Sequence, residues 1–176
     1  MSDIDIDKCC ITHYPAEVLG KPAEPIDEID DNIRRLVEKM TQIMIKHKGI
    51  GLAGPQAGVG LRIFIISLTG KSEDVMVYIN PTVTTDGGLV SAEEGCLSVP
   101  GVYTNINRYE KCKVNAVGLD GRKFAGEAEG LYARCLQHES DHLDGITIAR
   151  RMGAAARITH RKQLKKLTDT FNKDTT

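Results

Sequence analysis

His138-Glu139-Ser140-Asp141-His142 sets two imidazoles four positions apart, with a carboxylate beside the first. On a helix, positions i and i+4 share a face, one turn apart. Two histidines so spaced can hold one cation together, and Glu139 can then act as a general base toward water. An HExxH zinc peptidase shares this pattern and takes its third ligand, a Glu or His, from further downstream. No Glu follows Glu139 here, and the only later His, His160, sits in a basic run. The third ligand is therefore sought upstream.

Cys96 is the best candidate. It lies in Glu93-Glu94-Gly95-Cys96-Leu97-Ser98-Val99-Pro100, where Gly95 permits close backbone approach and Pro100 stiffens the exit. A thiolate with two imidazoles suits a soft or borderline divalent metal and leaves a position open for chemistry. By itself Cys96 would read as a small buried hydrophobe; beside HExxH and a glycine-flanked loop it reads as a ligand.

These residues need elements to position them. Apolar residues recur at Ile29, Ile33, Leu36, Val37, Met40, Ile43 and Met44, which predicts a helix capped by Asp27 or Asp30 and ended by Gly49. Gly49 to Gly60, with five glycines and Pro55, predicts a shaped loop. Strands are expected at 61–68, 75–79, 114–119 and 123–125, with turns at Gly87-Gly88 and Asp120-Gly121. After Gly130 the helical spacing returns, with Leu131, Cys135, His138 and His142 on one stripe expected to face the core. A basic helix is expected at about 154–171. The order predicts an α+β fold: mostly antiparallel sheet around a central HExxH-bearing helix, with an N-terminal and a C-terminal helix.

The 176 residues suit one catalytic domain over 1–176. The apolar fraction of 41% supports a core, and the absence of Trp makes it largely aliphatic. A net charge of −1 argues against nucleic acid as the main ligand. No apolar run approaches the ~18 residues of a membrane span. The acidic stretch Met1 to Asp7 lacks the basic and apolar regions of a secretory signal, so the cytoplasm is the expected compartment. Five cysteines without a secretory context favour metal or catalytic roles over a disulfide framework.

Three blocks together resemble the peptide deformylase family: Gly49-Ile50-Gly51-Leu52-Ala53-Gly54-Pro55-Gln56, Glu94-Gly95-Cys96-Leu97-Ser98, and Gln137-His138-Glu139-Ser140-Asp141-His142. They stand in the family's order, and a weaker match lies at His13-Tyr14-Pro15 and Leu19. The resemblance implies removal of the formyl group from the N-terminal methionine of nascent polypeptides. It implies one divalent metal per chain on Cys96, His138 and His142, Fe(II) in the cell, with Zn, Ni or Co able to substitute. Glu139 would move the protons. The Gln56 side chain and the Leu97 N–H would hold the oxyanion. Ile50, Gly51 and Gly95 would pair with the substrate backbone, and Ile50, Leu131 and Cys135 would receive the methionine side chain.

Some positions depart from the family's pattern. Gly54-Pro55 replaces a commoner Ala and variable residue, Gly20 stands where a basic residue is frequent, and Tyr103 stands where some members carry a substrate-binding Arg. Arg108 matches a nearby structural arginine. A peptidase and a non-catalytic, ribosome-associated metal protein are the competing readings. The upstream Cys96 weighs against the first, and the paired presence of Glu139 and Gln56 against the second. The basic run Arg157, Arg161, Lys162, Lys165 and Lys166 reads either as a solvated face or as a ribosome-docking surface.

Overall fold

Asp30 starts the first helix, α1 (Asp31–Lys46), by accepting a hydrogen bond from the Ile33 N–H at 2.9 Å. Of the two expected caps, Asp30 is the one used. Ile33, Leu36, Val37, Met40, Ile43 and Met44 form its buried stripe. The chain leaves it through Gly49, whose N–H bonds the Met44 carbonyl. The computed structural model describes residues 5–174. Residues 1–4 and 175–176, the ends of the expected domain and much of the acidic start, lie outside them.

Five strands follow: β1 (Gly51–Ala53), β2 (Ile63–Ile66), β3 (Met76–Gly95), β4 (Tyr103–Val117) and β5 (Lys123–Glu129). They form one antiparallel sheet in the order β1-β2-β3-β4-β5. Strand β2 is buried on both faces, which explains its unbroken apolar run. Ile63 and Ile65 join Leu52, Ile79 and the α1 stripe, while Phe64 and Ile66 join Tyr78, Val114, Ala133 and Leu136. The site is built where these two layers meet.

The sheet departs from expectation in three places. Gly51–Ala53, expected as loop, pairs with β2 as an edge strand. β3 continues through Asn80-Pro81 and Gly87-Gly88, both expected as ends, because the register with β4 slips at each. Proline and glycine are tolerated at such irregularities. β4 begins at Tyr103, well before the expected Val114.

Three helices close the chain: α2 (Gly130–Leu143), α3 (Ile148–Arg151) and α4 (Ala154–Asp174). Helix α2 packs its Ala133, Leu136 and Leu143 on the sheet. Ala156, Leu164 and Leu167 of α4 pack against a separate cluster around Val99, Val102, Ile106 and Met152. Among the described residues, no helix is long and apolar enough to cross a membrane.

Candidate metal centre

Helix α2 delivers His138 and His142 one turn apart, and the end of β3 delivers Cys96. The Cys96 Sγ lies 3.3 Å from the His142 Nε2, which lies 3.3 Å from the His138 Nε2. The three ligand atoms all fall within 4.8 Å of one another. A thiol and two imidazoles converging so closely could hold one metal ion together. The donor set fits a borderline-soft divalent ion.

Burial alone would raise the Cys96 thiol, but the charges and hydrogen bonds of His142 and His138 outweigh it and hold the pKa well below the ordinary value. Burial works to lower His138, and its bonds to Cys96 and Glu94 prevail, raising it well above. The shift favours the thiolate, the form that binds metals.

Glu139 is buried beside this cluster, and its Oε2 has no hydrogen-bond partner among the described residues. Burial pushes its pKa up to about 7, against the pull of His138 and His142. A carboxyl poised near neutrality can both take and give a proton. Gln56 sits on the 3-10 turn Gly54–Ala57, with its Oε1 bonded by the Ala53 N–H at 2.8 Å. That bond fixes the amide orientation and leaves Nε2 to donate toward Cys96 Sγ at 3.4 Å.

Behind the three candidate ligands stands an ion network that no sequence pattern assembles. The His138 Nδ1 lies 3.0 Å from the Glu94 Oε2, a contact that orients the ring. Arg108 grips Glu94 through Nε and Nη2, each at 2.9 Å, and reaches Asp141 through Nη1. Arg134 donates to Glu94 as well, and Arg151 to Asp141. Glu94 titrates well below the usual carboxylate range: its bonds to His138 and Arg108 overcome the opposing effect of burial. One signal was available in the sequence. Thr104, Ile106 and Arg108 alternate inward along β4, so Arg108 is a charge at a core position.

A cleft of about 660 Å³ opens onto the cluster. Ile50, Gly51, Gln56, Gly95, Cys96, Leu97, Leu131, Cys135, His138 and Glu139 all line it, so nearly every expected site residue meets there; His142 is fully buried behind them. Leu131 corrects one expectation. It is 58% exposed, at the cleft and off the core-facing stripe, because it lies at the very start of α2. Gly51 is needed where it is: a Cβ there would collide with the Glu139 carboxylate and approach Cys135 Sγ to 3.0 Å. Gly95 is likewise covered by the Tyr103 ring. Cys9, Cys10 and Cys112 take no part in the site.

Known proteins share this arrangement of chain. The Polypeptide deformylase family profile matches residues 8–157. A peptide deformylase of Neisseria gonorrhoeae is 42% identical over 89% of this chain and 93% of its own. The crystal structure of a peptide deformylase from Legionella pneumophila superposes with a TM-score of 0.85 at 37% identity, covering 92% of this chain and 96% of that one. A plant peptide deformylase gives 0.91 at 32% identity, covering 96% and 93%. With the family profile spanning most of its length, this chain belongs to the polypeptide deformylase family.

Proposed function

We propose that Cys96, His138 and His142 hold the metal of this enzyme and that Glu139 carries its protons. As a member of its family, the chain removes the formyl group from the N-terminal methionine of newly made polypeptides and releases formate. The family is metal-dependent. The convergence of one thiolate and two imidazoles beside a buried carboxyl with a pKa of about 7 carries the assignment. Fe(II) is the metal expected in the cell, with Zn, Ni or Co as substitutes. When bound, such an ion supplies Lewis acidity, polarising a carbonyl and making water nucleophilic.

The chain's own groups do the rest. β1 is an edge strand, so the backbone of Ile50 and Gly51, with that of Gly95, is suited to pair with an extended peptide. Ile50, Leu131 and Cys135 take the methionine side chain. Glu139 accepts a proton from the attacking water. As charge develops on the formyl oxygen, the Gln56 amide and the Leu97 N–H donate to it, each worth roughly 3 kcal/mol. Glu139 then passes its proton to the departing nitrogen. The new C–O bond replaces the broken C–N bond, giving formate and a free amine.

The whole chain, residues 1–176, acts as one catalytic domain in the cytoplasm, on polypeptides as they are made. The exposed face of α4, with Arg157, Arg161, Lys162, Lys165 and Lys166, suits docking to the polyanionic ribosome. Charge reversal at Lys162 and Lys166 should weaken co-sedimentation with ribosomes and leave peptide turnover intact; undiminished co-sedimentation refutes the docking role. The activity itself is tested by formate release from a formyl-Met peptide, assayed anaerobically with Fe(II) or with Ni(II). A folded, metal-loaded sample that releases none overturns the reading.

A further inference from the structure

Two walls of the cleft lead away from the reacting cluster and end in opposite charges. On one, Gly51 lies over Glu139, and the chain runs back through Ile50 and Gly49 to Lys48 and His47. Gly51 is buried, Ile50 and Gly49 are half-buried, and Lys48 and His47 are exposed. On the other, the chain runs back from Cys96 through Gly95 and Glu94 to exposed Glu93. Burial falls outward along the first wall; on the second, half-buried Cys96 and Gly95 are followed by buried Glu94 and then by exposed Glu93.

Glu94 and Arg134, which also line the cleft, are already engaged. Glu94 is held by Arg108, Arg134 and His138. Arg134 is committed to Glu94 and to the carbonyls of Ile106 and Val90. Lys48 and Glu93 form no ion pair among the described residues. Lys48 is also held at φ 56, a left-handed backbone uncommon outside glycine. Its N–H closes onto the Ile45 carbonyl at 3.0 Å, which fixes the residue at the rim.

We infer that Lys48 and Glu93 select substrates by the charges of the third and fourth residues of the formyl-Met polypeptide. The inference rests on the substrate path proposed above. An extended peptide advances about 3.3 Å per residue. With its formyl group level with Gly51, its first residue lies by Ile50, and its third and fourth reach the rim, where the chain turns out of α1 through His47 and Lys48. Successive side chains of an extended chain point to opposite sides. The third and fourth side chains therefore meet different surroundings at the rim. An acid and a base in one order match the polarised rim, and the reverse order opposes it.

The test uses two amidated peptides, formyl-Met-Ala-Asp-Lys and formyl-Met-Ala-Lys-Asp, with the metal-loaded enzyme. Exposed charge pairs are weak, so the two orders should differ about 2- to 5-fold in kcat/KM at low salt. Added salt should shrink the difference. Exchanging the charges, Lys48→Glu together with Glu93→Lys, should invert the preferred order. The ratio is taken within each variant, so any loss of folded or metal-loaded enzyme cancels. Equal rates in the unaltered enzyme, or the same preferred order after the exchange, overturn the inference. No turnover of either peptide overturns the deformylase assignment, and this inference with it.

Discussion

Arg108 and Asp141 meet at 2.5 Å, Nη1 to Oδ2, where β4 packs on α2. The other end of the same guanidinium holds Glu94. Glu94 stands two residues before Cys96, and Asp141 one residue before His142. A single buried side chain therefore joins the strand that supplies the sulfur to the helix that supplies both nitrogens. The planar fork of arginine suits two carboxylates at once in a way that an ammonium does not.

Arg108→Met should destabilise the fold by about 3 kcal/mol, because it leaves two buried carboxylates short of a partner. Arg134 and Arg151 still touch those carboxylates, which keeps the cost at the low end of that range. Metal retention should fall in parallel, since the two sources of ligands are no longer tied. Arg108→Lys should recover part of the stability and less of the retention. Urea unfolding and metal analysis after gel filtration measure both. A loss under about 1 kcal/mol with full metal occupancy would show that the network is dispensable.

Gly51→Ala should leave the fold intact and remove most of the activity. The added methyl meets the Glu139 carboxylate, whose Cδ would lie 2.8 Å away, so the proposed proton carrier must move. Misplacement of a reacting group by about 1 Å costs roughly 100-fold. Circular dichroism and kcat for a formyl-Met peptide separate the two effects. Near-normal turnover would mean that Glu139 is not held where its role requires.

The helices were legible because their burial follows the 3.6-residue period; the Asp30 cap and the stripe from Ile33 to Met44 are written plainly. Long β3 was harder. Asn80-Pro81 and Gly87-Gly88 look like terminators, and only tertiary context makes them irregularities inside a strand. Asn80 adopts φ 49 and bonds both backbone groups of Ile26, an anchor across 54 positions that no local pattern announces. Early β4 was hidden because two of its inward residues, Thr104 and Arg108, are polar. In the site, HExxH was legible because both histidines share one helix. The network of Glu94, Arg108, Arg134, Asp141 and Arg151 draws on two strands and two helices, so no periodicity links its members.

Tyr78 should resist ionisation. Burial, helped by its hydrogen bond to Tyr132, raises its hydroxyl far above the ordinary value. An unfolded tyrosine titrates near ~10, so the folded chain holds this proton more tightly. The stability it lends is present in full below about pH 10 and drains away as the pH rises further. With no Trp in the chain, tyrosinate absorbance reports the event directly. Tyr78 should ionise only with alkaline unfolding, and Tyr78→Phe should flatten that pH dependence. Complete ionisation of all five tyrosines in a chain that is still folded would contradict the burial argument.

Glu139→Gln separates binding from chemistry. The amide has nearly the shape of the carboxyl and fits the same buried space, but it cannot accept a proton. None of the three proposed ligands is altered, so metal content should stay at one ion per chain. Turnover should fall by roughly 100- to 10,000-fold, the range for losing a positioned general base. Substrate KM should change little, because the cleft walls at Ile50, Gly51 and Gly95 are untouched. Metal loss accompanied by unchanged turnover per bound ion would make Glu139 a supporting residue. The proton transfers would then fall to another group, and His138 and His142 could not supply them if they hold the metal as proposed.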